Sequence, residues 1–395
     1  MITVEDAKKL IQEQAGPLIP VTETLTQAAG MVLAADIFST LDIPAFNQSS
    51  MDGYAFSFSG WQTHTTLQIA GEMQAGSNET IAFSSEQAIR IFTGAPVPEG
   101  ADTVVMQEKV TTENGKLIIQ DERLSPGGNV RLQGSEIKSG ALALAAGTFL
   151  SPAAIGFLAG IGITTVEVYR KPIVSIIVTG KELQQPGNPL QYGQVYESNS
   201  VTLTAALRQI NIRDVKVSLA DDDLVILKTI LELVMKESDV VLLTGGISVG
   251  DYDFVLEAVS QCGVKKIFHR VKQRPGKPLY FGKKNHQLVF GLPGNPSSVL
   301  TCFYEYVLPA LQKLSNHTNN GLKILQAPLA KSFQKPEGLT HFLKGFYDGE
   351  KVRALDAQES YRLSSFARAN CLIKIDEDTT HCDEQENVEI HLLPE

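Results

Sequence analysis

The sequence predicts a multidomain α/β protein. Its centre is a doubly wound, mostly parallel α/β domain, accompanied by an α+β linker domain, a small inserted β domain and a C-terminal β domain. Three observations carry this. Buried strand-like runs alternate with helical runs from Lys171 to Leu314, the pattern of βα units. Short strand-like runs separated by Gly, Pro and Asn turns fill Trp61 to about Gly147 and recur over 322–395. A mixed segment that precedes the first β region resumes at Pro152, so that region reads as an insertion. The expected boundaries are 1–44 with 148–170 for the linker domain, 45–147 for the inserted domain, 171–317 for the α/β domain and 318–395 for the last.

In chain order, Thr3 caps a helix to Gln14, with Glu5 and Asp6 in its first turn and Val4, Ala7, Leu10 and Ile11 on its apolar face. Thr24–Ala35 reads as a second short helix, and Ile37–Pro44 as extended chain. In the inserted domain the strand-like runs are Thr66–Ile69, Ala88–Phe92, Thr103–Gln107, Leu117–Ile119 and Leu142–Leu144. Leu150–Val168 is the one stretch resembling a membrane span; Glu167, Gly160 and Gly162 interrupt it, and a short helix opened by Pro152 and followed by a strand fits better. The α/β domain then gives strands at Ile173–Val178, Val215–Leu219, Val240–Leu243, Ile267–Val271 and Leu288–Gly291. Helices fall at Asn199–Gln209, Leu224–Met235, a run to Val259, and Asn295–Leu314. The last domain carries strands at Gly321–Gln326, Thr340–Tyr347, Cys371–Ile375 and Val388–Leu393.

A net charge of −10 over 395 residues argues against a general nucleic-acid or anionic-membrane binder. The four cysteines, Cys262, Cys302, Cys371 and Cys382, are scattered without a CxxC. They read as reduced thiols of a cytoplasmic protein, and the N-terminus has no signal-peptide profile. His381-Cys382 has no partner at metal-ligand spacing.

Chemistry-bearing residues gather where strands of a doubly wound sheet end, the usual ligand edge: Thr179 to Glu182, Asp221 to Asp223, Thr244 to Asp253, and Leu292-Pro293-Gly294-Asn295-Pro296. Gly245, Gly246, Ser248 and Gly250 let backbone N–H groups approach an anion. Asp251 and Asp253 would repel a bare phosphate unless a divalent cation lay between them. Alone, Asp251 as an N-cap with glycines that merely turn the chain fits as well; several such turns on one edge favour a polyanion-plus-metal site. Arg270, Lys272 and Arg274 share one face if extended, and Lys277 follows a Pro-Gly turn. These supply the charge for an anionic substrate. In the inserted domain Asp52 lies in a polar turn, Thr93 and Gly94 sit at a strand end, and Arg131 and Glu136 share a turn-rich segment.

SSMDGYA, RIFTGAP, GGNVRxxG, TGKELQQPG, TGGISVGDYD, RPGKP and GLPGNPSS occur in the order found in molybdopterin molybdenumtransferases, and nearly the whole chain resembles that family, MoeA and the gephyrin C-terminal domain. The resemblance implies an elongated four-domain plan with a MogA-like α/β domain. It implies the last step of molybdenum cofactor synthesis: adenylylated molybdopterin and molybdate are the substrates, AMP is released, and Mg2+ is required. Asp52, Thr93 and Arg131 resemble functional residues of the family's β domain. Glu182, Asp222 and Asp253 resemble its essential acids and are expected to hold the metal. Arg270, Arg274 and Lys277 are expected at molybdate and phosphate, and the turn of Pro293, Gly294, Asn295 and Pro296 at the pterin or its phosphate. A homodimer with shared sites is implied, with the adenylyltransferase and acceptor apoenzymes as further partners.

The chain departs from the family pattern at four places. Lys181 replaces an acid in TGDEL, Glu136 replaces an aspartate, Leu132 and Gln133 replace basic residues, and Glu359-Ser360-Tyr361 replaces Gly-Ser-Gly. These bear on activity and on molybdate against tungstate. Two other functions stay open: a molybdopterin adenylyltransferase, against which the inserted domain with Asp52 and Thr93 argues, and a non-catalytic molybdopterin-binding scaffold, which Lys181 keeps open.

Overall fold

A computed structural model of the chain describes residues 1–247, 254–318 and 320–394. It forms two compact units. One comprises Met1–Glu23, Ala28–Ala34 and Glu167–Glu395; the other comprises Thr24–Gln27 and Ala35–Val166.

The larger unit begins with helix α1 (Val4–Gln14), whose N-cap Thr3 accepts a hydrogen bond from the Asp6 amide at 3.0 Å. Its central sheet contains β1 (Val174–Thr179), β2 (Val215–Ala220), β3 (Val240–Thr244), β4 (Lys265–His269), β5 (Tyr280–Lys284) and β6 (Gln287–Leu292), in the spatial order β2-β1-β3-β6-β5-β4. β2, β1, β3 and β6 run parallel. β5 is antiparallel to both β6 and β4. The sequence reading did not separate β5, because its Tyr-Phe start merges with the basic loop before it.

Helices α2 (Asn199–Gln209), α3 (Leu224–Val234), α4 (Val255–Gln261) and α5 (Pro296–Cys302) cover the sheet. Alternation along the strands divides the core. Val240 and Leu242 face α1, α2 and α5, while Val241 and Leu243 face α3 and α4. Strands buried on both sides read as continuous apolar runs, as parallel strands do. The expected helix Asn295–Leu314 is interrupted by a π-helical turn at Phe303–Val307.

β7 (Lys323–Pro328), β8 (Thr340–Tyr347), β9 (Cys371–Ile375) and β10 (Asn387–Leu392) build the C-terminal sheet, with the short strand Gln273–Arg274 on the edge beside β8. All four cysteines are free and buried.

Two sequence expectations need correction. The helix expected over Thr24–Ala35 spans only Leu25–Ala28. Gly30 takes φ +77, and Val32–Leu33 pair with Val168–Tyr169 as strand; β-branched Val32 suits that pairing better than a helix. Arg270, Lys272 and Arg274 do not share one extended face. Arg270 sits at φ +71, only Gln273–Arg274 is strand, and Lys272 reaches Glu377 at 3.4 Å.

The smaller unit carries a six-stranded sheet in the order Thr103–Met106, Gly53–Phe56, Gln87–Ile91, Thr66–Met73, Lys116–Ile119, Val110–Glu113. Its two faces bury Ile89, Ile91 and Val104 on one side and Phe56, Leu67 and Val105 on the other. Among the described residues of the whole chain, no helix is long and apolar enough to cross a membrane.

A buried charge chain ties the larger unit together. Glu305, in the π-turn, meets Lys8 of α1 at 2.5 Å and His391 Nδ1 of β10 at 2.7 Å. His391 Nε2 meets Glu389 at 2.9 Å, and Lys374 of β9 lies 3.5 Å from the same carboxylate. With a carboxylate on each ring nitrogen, both nitrogens must donate, so His391 is an imidazolium. Burial works against that charge, but the hydrogen bonds to Glu305 and Glu389 outweigh it and raise the pKa. The raised folded value means that this contribution is complete below the unfolded histidine pKa of about 6.5 and disappears as pH rises through the folded value. His391→Gln is therefore expected to lose about 3 kcal/mol at pH 6, with the gap closing at alkaline pH. Thermal melts of both proteins across that range check this; a pH-independent gap would contradict it.

Candidate functional site

The parallel register ends β1, β2, β3 and β6 at one edge: Thr179 pairs with Ala220, Val178 with Thr244, and Thr244 with Leu292. The loops that follow are the four acid- and glycine-rich turns expected from the sequence. Close backbone approach explains the glycine at 245. A Cβ on Gly245, which has φ +85, would stand 2.5 Å from the Thr179 carbonyl oxygen. One on Gly294 would lie 3.9 Å from Gly245 Cα. Gly180, at φ +146, leaves room for the Glu182 carboxylate, whose oxygens would be 2.9 Å from an added Cβ.

Asp222 accepts a hydrogen bond from the Lys181 amide at 3.1 Å. This bond joins the β1 and β2 loops and sets Asp222 beside the Gly180–Glu182 turn. Among the described residues no ion pair joins Lys181 to Glu182. Asp223 caps α3 through the Val225 and Ile226 amides, both at 2.9 Å, so it serves the helix. Ser248, Gly250, Asp251 and Asp253 lie outside the described residues. Among the described residues no three acids, histidines or cysteines gather as a metal cluster; Glu182 and Asp222 follow the ends of the adjacent strands β1 and β2.

Next to this edge a cleft of ≈540 Å³ is lined by Arg274, Lys277, Pro293, Gly294, Asn295 and Ser360, among others. Arg270 is not among its walls. The far wall is a C-terminal loop held by Lys344, a buried residue whose Nζ donates to the carbonyls of Ala357 (2.7 Å), Arg362 (3.0 Å) and Glu359 (3.3 Å). Asn295 Nδ2 donates to Ser360 Oγ at 2.8 Å, and the Ser297 amide to the Ser360 carbonyl at 3.0 Å. The turn after β6 is thus clasped to the C-terminal loop. Asn199 Nδ2 donates to the Gly294 carbonyl at 2.8 Å and fixes the turn from the opposite side.

The smaller unit holds its own cluster. Asp52 Oδ1 accepts from the Thr93 amide and from Thr93 Oγ1, both at 2.8 Å. Hydrogen bonds from the Thr93 amide, then from its hydroxyl, hold the Asp52 carboxyl below the usual aspartate value. Arg90, stacked 5.1 Å from the Tyr54 and Phe92 ring centroids, adds a smaller effect of the same sign. The segment Gln48–Ser50 organises the cluster. It pairs with Val130–Arg131 on one side and with the 94–96 turn on the other, through Gly94 N to Ser49 O at 2.8 Å and Ser49 N to Ala95 O at 3.0 Å. Three motifs far apart in sequence therefore meet, with Arg131 exposed at the rim. Arg131 and Glu136 form no ion pair among the described residues. Gln133, where the family pattern has a basic residue, donates from its side chain to Asp42 at 3.1 Å.

Three family models match the chain in series: the MoeA N-terminal region (domains I and II) over residues 2–162, a probable molybdopterin binding domain over 175–313, and the MoeA C-terminal region (domain IV) over 326–393. A molybdopterin molybdenumtransferase of Haemophilus influenzae is 35% identical over the full length of both chains. The chain belongs to the MoeA family.

Molybdopterin molybdenumtransferase 2 of Mycobacterium tuberculosis is 32% identical over 96% of each chain. The crystal structure of a molybdopterin biosynthesis MoeA protein from Pyrococcus horikoshii superposes with a TM-score of 0.83 at 29% identity, covering 99% of each chain. The fold read from the sequence is thus the MoeA fold. Sequence reading missed Asn199, Arg90, Lys344 and Gln358, which orient the β6 turn, the Asp52 segment and the 357–362 loop of this MoeA chain. Asn199 was legible only as a helix start and Arg90 only as a strand residue. Lys344 and Gln358 carried no signal, because their partners are backbone amides and carbonyls.

Two variants test this geometry. Gly245→Ala forces a Cβ against a backbone oxygen in a left-handed conformation and is expected to destabilise by more than about 1 kcal/mol, measured by denaturant unfolding. Thr93→Val removes the hydroxyl donor and is expected to raise the Asp52 pKa, followed by NMR titration of the carboxyl carbon; an unmoved titration would contradict the hydrogen-bond assignment.

Proposed function

We propose that this MoeA chain places molybdenum from molybdate on the dithiolene of adenylylated molybdopterin and releases AMP. The observation that carries the proposal is the convergence of the four strand-end turns beside a cleft walled by Arg274, Lys277 and the Gly294 turn. The bare backbone of Gly245 and Gly294 suits a phosphate or pyrophosphate, which needs close N–H donors. Arg274 and Lys277 supply point and forked cationic contacts for the phosphoryl groups and for a tetrahedral dianion.

Glu182 and Asp222, with Asp253, would hold Mg2+. Two described carboxylates on adjacent strand ends suit an ion that keeps several waters and takes one or two protein carboxylates. When bound, the ion would offset negative charge developing on the anhydride oxygens. The chain's own part is positional: the Lys181 amide orients Asp222, Asn199 and Ser360 fix the Gly294 turn, and Arg274 draws in the anion. Asp52 and Thr93 act as a preset acceptor–donor pair, with Arg131 at the rim for an anionic end of the substrate. Arg270 contributes at longer range. We further propose a cytoplasmic homodimer of four-domain subunits with the boundaries 1–44 with 148–170, 45–147, 171–317 and 318–395. In it the Asp52–Thr93 cluster of one subunit serves the sheet edge of the other. The absence of an ion pair between Lys181 and Glu182 favours catalysis over a purely scaffolding role.

AMP release from adenylylated molybdopterin, with molybdate and Mg2+ supplied, tests the function. Asp222→Asn is expected to slow it by about 10²-fold or more. In an equal mixture of Asp52→Asn and Asp222→Asn chains, a shared site restores about a quarter of wild-type turnover, because each mixed dimer keeps one intact site. No restoration would remove the shared site, and unchanged turnover in Asp222→Asn would remove the acid's role.

A further inference from the structure

Behind the turn that carries Lys277 into the cleft lies a buried polar pair, Gln273 and Tyr306, both 0% exposed. Gln273 precedes the turn in the edge strand, and Tyr306 stands in the π-turn beside Glu305. The Gln273 Nε2 donates to the carbonyls of Pro275 at 3.1 Å and Gly276 at 3.2 Å. Its Oε1 accepts from the Tyr306 hydroxyl. Burial holds the Tyr306 phenol well above its usual pKa, so the hydroxyl stays a donor. Only the amide nitrogen can donate to the two carbonyls, so the Gln273 side chain has one orientation.

The turn packs directly on this pair. Gly276 is buried and takes φ +89, and an added Cβ would stand 2.5 Å from Cys302 Sγ and 2.8 Å from Gln273 Nε2. The Val271 amide closes the loop by donating to the Lys277 carbonyl at 3.0 Å. Each peptide unit is planar. Holding the carbonyls of Pro275 and Gly276 therefore fixes two consecutive planes, and with them the direction in which the exposed Lys277 leaves the turn. An apolar pair of similar size would fill the same space without restraining the backbone; a connected polar pair selects one arrangement. A π-turn inside a helix is an irregularity that occurs mostly at functional sites, and this one carries Tyr306.

We propose that Gln273 and Tyr306 are positioning residues of the cleft: the hydrogen bond between them locks the turn and sets the reach of Lys277 toward the substrate. The proposal rests on the reading above that the cleft receives the phosphorylated substrate. Neither side chain touches that substrate. Tyr306 acts through Gln273, and Gln273 acts through the turn.

Steady-state AMP release by the full-length protein, at a temperature where each variant is folded, tests this with Tyr306→Phe, Gln273→Met and the double variant. Tyr306→Phe removes one oxygen and is expected to raise KM for adenylylated molybdopterin about fivefold with kcat nearly unchanged, the signature of lost uniform binding. Gln273→Met is expected to raise KM about tenfold or more, and the double variant no further. An unchanged KM in folded Tyr306→Phe overturns the proposal, and independent, multiplying effects in the double variant overturn the relay through Gln273. Hydrogen exchange of the Val271 amide gives a readout independent of activity. It is expected to be about fivefold faster in Tyr306→Phe, with the amides of the central sheet unchanged. A wild-type rate at Val271, or an equal rise throughout the sheet, overturns the proposal even where Gln273→Met does not fold. If the wild type releases no AMP, the functional reading fails, and the exchange rate still decides whether the pair holds the turn.

Discussion

The parallel alignment of β1, β2, β3 and β6 is the constraint on which the candidate site depends. It delivers four loops to one edge at the same height, and it leaves no room for a side chain at Gly245. Gly245 lies against the Thr179 carbonyl, and Gly294 lies over Gly245. Close-packed backbone free of Cβ atoms is what an anionic ligand with many oxygen acceptors requires.

Rigidity around the cleft comes from polar groups reaching backbone. Lys344 gathers three carbonyls of the 357–362 loop, and Gln358 pins that loop to β8 through the Lys344 amide and carbonyl. Asn199 and Ser360 hold the β6 turn from two sides. In the same unit, the chain Lys8–Glu305–His391–Glu389–Lys374 links α1, the π-turn and the C-terminal sheet. Breaking a buried pair leaves an uncompensated charge, so this chain fixes how the C-terminal strands meet the α/β core and hence where the cleft wall stands.

Much of this was legible in the sequence, for physical reasons. Doubly buried strands such as Val240–Leu243 announce themselves as apolar runs, and Thr3 and Pro152 mark helix starts by capping chemistry. The glycine turns at the sheet edge were visible as motifs, and at Gly245 no other residue fits without strain. What was hidden depended on distant partners. The helix expected to Ala35 gave way because Val32 and Leu33 found strand partners at Val168 and Tyr169. Arg270 left the basic face because its backbone is left-handed, which the sequence of a non-glycine residue does not signal. The meeting of Asp52 with Thr93 came from strand pairing around Gln48–Ser49, and no local pattern encodes it. Asn199 looked like an ordinary helix start, yet its side chain reaches a carbonyl 95 residues away.

The central claim is that the carboxyl edge of the sheet, beside the Arg274–Lys277 cleft, receives the phosphorylated substrate. A crystal structure with adenylylated molybdopterin and Mg2+ tests it most directly. The account predicts the pyrophosphate over the Gly245 and Gly294 turns, with the ion beside Glu182 and Asp222. Density for the substrate elsewhere, such as in the cavity beside Lys8, Glu305 and His391, would contradict it.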